Sequence, residues 1–252
     1  MKRENTAGKV IILFIVGLFP MIFAVLYNCF FDNEDYEVIV ISVCTFMGGL
    51  LDIFVLHREY GISISEKNKI NIKLLILVLL FAIFYSTTTD CILNKNTYIN
   101  LYGGNDSLLI TDWIGIGILG PVGEELIYRY SIFSTIISGR KKYSLILSVF
   151  VSSILFMIMH LQGGILRNVD LFLFGCVASL IFFVTNNIIY SIFFHSVSNF
   201  TVYGLALIYQ KYEFDSRILL ISVPVLVIIT LMMILYIVYQ HKNVETCKRN
   251  WM

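Results

Sequence analysis

Charge is what this sequence has least of. Asp, Glu, Lys and Arg make up 14% of its 252 residues, against 58% apolar residues and 15% aromatics. A soluble domain of this length cannot bury that much apolar surface, so the ordinary water-soluble domain is excluded first. The 18 basic and 17 acidic residues leave a net charge of +1 and gather into no dense basic patch, which argues against a nucleic-acid partner. Cysteine pairing is missing as well. Cys29, Cys44, Cys91, Cys176 and Cys247 are scattered, odd in number and free of C-x-x-C spacing. They read as small apolar fillers, not as a disulfide framework or a thiolate zinc site.

Long apolar runs take the place of charge. Runs of about 20 residues, enough to cross a bilayer, are expected near residues 10–31, 38–57, 72–93, 108–137, 143–162, 169–185, 187–209 and 218–240. The fold class is therefore all-α: a polytopic membrane protein of about eight transmembrane helices, with its site in the core of the helix bundle. Basic residues support the division, because they collect on the cytoplasmic side of short loops. Lys2, Arg3, Lys9, Arg58, Lys67, Lys69, Lys73, Arg140, Lys141, Lys142, Lys242, Lys248 and Arg249 fall on one side. Lys95, Arg167, Lys211 and Arg217 fall on the other, and Arg129 is left inside the membrane. Both termini are expected in the cytoplasm. The first run follows a short basic start but has no small-residue cleavage site and is too long for a signal peptide, so it is expected to be an anchor.

The exceptions to the scarcity of charge sit together. Residues 124–129 read EELIYR inside an apolar stretch from Trp113 to Ile137. An ionisable group at bilayer depth costs roughly 2.5 kcal/mol or more and is kept where it pairs, lines a watery cavity or does chemistry. Glu125 and Arg129 are four residues apart on one helical face, with Glu N-terminal, and can neutralise each other. Glu124 lies about 100° round the helix from Glu125, has Tyr128 as its i+4 neighbour, and is the carboxylate left to face other helices. Glu124 is the candidate reactive group. Just upstream, Gly120-Pro121-Val122-Gly123 removes a backbone donor and predicts a break or restart of the helix that would admit water.

Of the four histidines, His160 and His195 fall inside predicted spans, whereas His57 and His241 stand at helix ends where water is expected. Spacing of i, i+4 joins Phe156 to His160 in FMIMH and His195 to Asn199 in HSVSN, each pair on one face. The first sets an aromatic wall beside an imidazole; the second aims two potential donors at one point. A base that activates water, with donors for an oxyanion, is what peptide-bond hydrolysis needs. Glu124, His160 and His195 would equally make a catalytic zinc set with a position left for water, and spacing leaves both open. Depths along the helices disagree. At about 1.5 Å per residue, Glu124 lies roughly 21 Å, His160 roughly 25 Å and His195 about 12 Å from the cytoplasmic ends. The seventh helix is therefore expected to begin earlier or to tilt strongly.

EExxxR, FxxxH and HxxxN, in that order on successive apolar helices, resemble the CAAX-protease and bacteriocin-processing family, also called the Abi family. The resemblance runs from about Gly120 to Asn199, through GPVGEELIYR, SSILFMIMH and TNNIIYSIFFHSVSN; elsewhere the chain shares only hydrophobicity with it. It implies an intramembrane endopeptidase in which Glu124 and His160 activate water and His195 and Asn199 stabilise the oxyanion. Glu125, Arg129, Phe156 and Tyr128 would support them. Members are often labelled metalloproteases, although a metal-free glutamate-and-water mechanism has also been argued for relatives. No cofactor is expected here, with zinc as the alternative. Tyr128 stands where Phe is common, and Tyr130 follows the arginine where Gly is common and is expected to narrow the substrate entrance.

The implied partners are the lipid bilayer and a membrane-associated peptide or protein substrate, and the oligomeric state is left open. A composition heavy in Ile, Asn and Lys points to an AT-rich bacterial genome, hence a bacterial cell membrane where prenylated substrates are not expected. The expected organisation is N-terminal transmembrane helices over 1–107, a catalytic core over 108–209, and a C-terminal helix with a basic tail over 210–252, in one integral membrane domain. The rival reading is a catalytically inactive bacteriocin-immunity or scaffold protein. A proton-coupled transporter is disfavoured by the lack of an internal repeat and of paired interrupted segments.

Overall fold

The computed structural model describes residues 6–30, 34–61, 70–93, 110–138, 144–161, 164–211, 225–226, 228–230 and 232. Among these every regular element is a helix. In chain order they are α1 (Thr6–Leu18), α2 (Met21–Phe30), α3 (Glu34–Tyr60), α4 (Ile72–Leu93), α5 (residues 110–137), α6 (Ser144–Met159), α7 (Ile165–Thr185) and α8 (Ile188–Lys211). Pro20 separates α1 from α2. Because it has no N–H to give the Val16 carbonyl, that carbonyl accepts instead from the Phe19 N–H at 3.2 Å, tightening the last turn.

Among the described residues five segments are long and apolar enough to cross a membrane: Thr6–Phe30, Tyr36–Tyr60, Ile72–Thr89, Ile165–Thr185 and Ile188–Ile208. They fall on five of the eight expected spans. The full count of eight is not reached: α6 is apolar but only 16 residues long, and α5 is divided into short α- and π-helical stretches. Residues 218–240 lie largely outside the described residues. Burial is distributed as lipid demands. Ile11, Ile15, Phe19, Ile22, Phe23 and Leu26 stand exposed along α1 and α2, while Ser131, Ser134, Ser148, Ser152, Ser153, Ser179 and Ser191 are buried. Apolar outside and polar inside is the arrangement of helices whose solvent is hydrocarbon, and the protein is an integral membrane protein.

The chain divides into two compact units, one of Met1–Asn68, Leu109–Ile192 and Thr246–Met252, the other of Lys69–Leu108 and Phe193–Glu245. Among the described residues the first holds α1, α2, α3, α5, α6, α7 and the opening turn of α8. The second holds α4 and the rest of α8. In the second unit Phe194 packs on Phe81 and Tyr85, with ring centroids 5.7 and 5.8 Å apart, above buried Val78 and Ala82.

In the first unit, side chains too small to hold helices apart decide the packing. A Cβ on Gly48 of α3 would stand 1.9 Å from the Gly17 carbonyl oxygen of α1, and one on Gly123 of α5 would stand 2.5 Å from the α3 backbone at Thr45 and Phe46. Without a hydrophobic drive in lipid, such close backbone approach supplies the contact that holds helices together. Gly48→Ala is expected to push α1 off α3 and lower stability by about 1–3 kcal/mol, the usual cost of overpacking. Thermal unfolding in detergent reads this, and an unchanged midpoint would show that α1 moves aside freely.

The α7–α8 connection is equally local. Asn186 takes a left-handed conformation with φ 49°, and its N–H donates to the Phe182 carbonyl at 2.8 Å. Asn187 then accepts from the Ile189 N–H through Oδ1 at 2.9 Å, starting the next helix. So α8 begins at Ile188 and does not begin earlier, contrary to one expectation raised by the depths.

Candidate active site

The helix that carries EELIYR does not break at Pro121; it changes pitch. Gly115–Leu119 is π-helical, Gly120–Glu125 is α-helical with Pro121 in its first turn, and Leu126–Phe133 is π-helical again. Proline in a continuing α-helix clashes with the carbonyl four residues back and leaves it without a donor. Here the Gly120 N–H reaches back to the Gly115 carbonyl, five residues away, so the turn leading into Pro121 is already widened. Around the end of the second π stretch, hydroxyls add bonds to backbone carbonyls: Ser134 donates to the Arg129 carbonyl at 3.2 Å and Thr135 to the Ser131 carbonyl at 2.8 Å. Such π turns recur at functional sites, and these flank the two glutamates.

That pitch turns the adjacent carboxylates to different surroundings. Glu125 is sealed in. Its Oε1 lies 3.0 Å from Arg129 Nη1, both side chains being fully buried, and its Oε2 accepts a hydrogen bond from the Ser191 hydroxyl of α8. Arg129 also donates through Nη2 to the Gly175 carbonyl of α7 at 3.3 Å, and its guanidinium stands 4.7 Å from the Phe156 ring centroid. The cation is thus held by a carboxylate, a carbonyl and a ring face at once. The neutralising pair inferred from i, i+4 spacing is present in that form.

Glu124 faces elsewhere. Its Oε2 lies 3.5 Å from His160 Nε2 just past the end of α6, with 18% of the Glu124 side chain and 34% of the His160 side chain exposed. The other imidazole nitrogen, Nδ1, is 2.8 Å from the Phe156 carbonyl. A carbonyl can only accept, so Nδ1 carries a proton and Nε2 is the atom turned to Glu124. The ring stacks on Phe156 at 4.4 Å, and Tyr128 meets Phe156 edge-on at 5.5 Å. Phe156 therefore touches both His160 and Arg129, tying the exposed pair to the sealed one.

His195 and Asn199 belong to the second unit, four residues apart on α8, with His195 buried and Asn199 half-buried. Tyr130 faces the core of the first unit. It lies buried among Leu13, Leu56, Leu126 and Phe133, and its hydroxyl shares a hydrogen bond of 3.2 Å with Nε2 of exposed His57. Its ring packs against Leu13 of α1 and Leu56 of α3. Ser191 and the Gly175 carbonyl were not anticipated, although Ser191 stands four residues before His195, a spacing that could have drawn attention to it. Among the described residues no three His, Cys, Asp or Glu side chains are grouped so that they could hold a metal ion.

A protein-family model described as type II CAAX prenyl endopeptidase Rce1-like matches residues 106–201. Over these residues the chain is similar to that family. The Rce1-like segment includes Glu124, Glu125, Arg129, Phe156, His160, His195 and Asn199, and agrees with the family resemblance read from the three motifs. No curated protein and no solved structure matches the chain.

Proposed function

We propose that the protein is an intramembrane endopeptidase acting on a membrane-associated peptide or small protein, with Glu124 as general base. The observation that carries this reading is the sorting of two neighbouring glutamates: Glu125 is consumed by Arg129, while Glu124 is partly exposed beside His160. Glu124 takes a proton from water whose second hydrogen is held by His160 Nε2, and the water oxygen attacks the substrate carbonyl. Glu124 then returns the proton to the leaving amine as the C–N bond breaks. His195 and Asn199 supply donors to the developing oxyanion. The inclusion of both in the Rce1-like segment supports that assignment. No step passes through a metal. The basic-residue distribution supports cytoplasmic termini.

The test uses purified full-length protein in detergent with a library of membrane-associated peptides, comparing wild type and Glu124→Gln with and without a chelator. Cleavage by wild type that survives chelation and vanishes in the variant is the expected result. Loss on chelation, with zinc found by mass spectrometry, would replace the glutamate-and-water mechanism by a metal-assisted one. Cleavage retained by the variant would remove Glu124 from its role, and no cleavage of any member would favour a binding-only protein.

A further inference from the structure

One ionisable side chain of the first unit takes no part in the chemistry above. Asp52 lies in α3 within the span Tyr36–Tyr60 and is fully buried. Among the described residues neither of its oxygens meets a hydrogen-bond donor. It occupies room that Gly17 of α1 leaves: a Cβ on Gly17 would stand 2.8 Å from Asp52 Oδ2 and 3.1 Å from the Ile127 side chain of α5. Three helices thus close around one carboxyl group, and the α5 side chain that meets it there, Ile127, stands three residues after Glu124.

The charges nearby do not compensate it. From α5, Tyr128 is within electrostatic reach of it, and Glu124, Glu125 and Arg129 are within reach of Tyr128; that arginine is held by Glu125. From α3, Tyr60 is within electrostatic reach, and Lys9 of α1 lies over the Tyr60 ring, 4.9 Å from its centroid. α1 also ends one residue after Gly17, which brings the negative end of its dipole and its last carbonyls close to Asp52. A carboxylate in such surroundings is costly unless a cation joins it.

We propose that Asp52 and the C-terminal end of α1 form a binding site for a small monovalent cation, a proton or a sodium ion, whose occupancy holds α1 against α3 and α5. Glycine-sized room excludes a lysine side chain or a hydrated divalent ion. Interrupted helix ends beside an intramembrane carboxylate are also where membrane proteins take up Na⁺ and H⁺. The proposal does not depend on peptidase activity.

The test is the thermal unfolding midpoint of the full-length protein in detergent, in two series. One exchanges choline for sodium at constant ionic strength and pH; the other varies pH in choline alone. A cation that binds only the folded state raises the midpoint as its concentration rises, by a few degrees per tenfold. A rise with sodium identifies sodium, and a rise with acidity alone identifies the proton. Asp52→Asn, neutral and of the same shape, is expected to abolish the dependence while keeping the midpoint of the saturated wild type. Gly17→Ala is expected to weaken the dependence and lower the midpoint. Midpoints that stay flat in both series for wild type, an Asp52→Asn protein with wild-type dependence, or one that fails to fold because the carboxylate serves a cationic residue would each overturn the proposal.

Discussion

Replacing Glu124 by glutamine should cost about 10²–10⁴-fold in peptide cleavage, the contribution of a positioned general base, with the fold intact. The amide keeps the shape of the carboxyl but cannot take a proton from water. Structural damage should be small because Glu124 is partly exposed and stands apart from the Glu125–Arg129 pair. Single-turnover cleavage beside an unfolding curve separates the two effects. His160→Ala should lose a comparable rate and, in addition, some stability, since it removes a ring stacked on Phe156 at 4.4 Å. A variant with normal turnover at Glu124 would assign the chemistry to another group.

Glu125→Ala should behave in the opposite way, failing first as a folded protein. Arg129 is fully buried, and removing its carboxylate leaves an uncompensated charge, a loss of about 3–5 kcal/mol. The Gly175 carbonyl and the Phe156 ring face remain but cannot neutralise it. Removing both partners is milder than removing one, because no bare charge is left behind. Glu125→Gln combined with Arg129→Met is therefore expected to unfold at a higher temperature than Glu125→Ala. Unfolding midpoints of the two proteins check this directly. A Glu125→Ala protein that is stable yet inactive would exchange the roles of the two glutamates.

Much of the candidate site could be read in advance because the rules involved are local. Helical spacing of four residues paired Glu125 with Arg129 and Phe156 with His160, and the structure shows both pairs in contact. The scarcity of charge marked 124–129 before any geometry was known, because desolvating an ionisable group in lipid is expensive wherever the helix lies. The boundary at Thr185, Asn186 and Asn187 was less legible: the depths suggested that the next helix begins earlier, whereas the left-handed Asn186 ends α7 there. Pro121 shows the limit. Losing a donor predicts a fault in the helix, but whether the fault becomes a break or a π turn depends on whether neighbours fill the wider turn. Tyr130 shows the same limit, since its partner His57 lies 73 residues away and no spacing rule reaches that far.

The sequence by itself determined a helical membrane chain and two unlike glutamates, with two histidines on i, i+4 faces, because periodicity and desolvation act within one helix. Tertiary structure alone decided that Glu124 meets His160, that Ser191 and the Gly175 carbonyl complete the Glu125–Arg129 pair, and that Asp52 is enclosed against Gly17. Those contacts depend on how closely α1, α3, α5, α6, α7 and the start of α8 approach one another. That approach is set by the missing side chains of Gly17, Gly48 and Gly123, which have physical meaning only when another helix fills the space they leave.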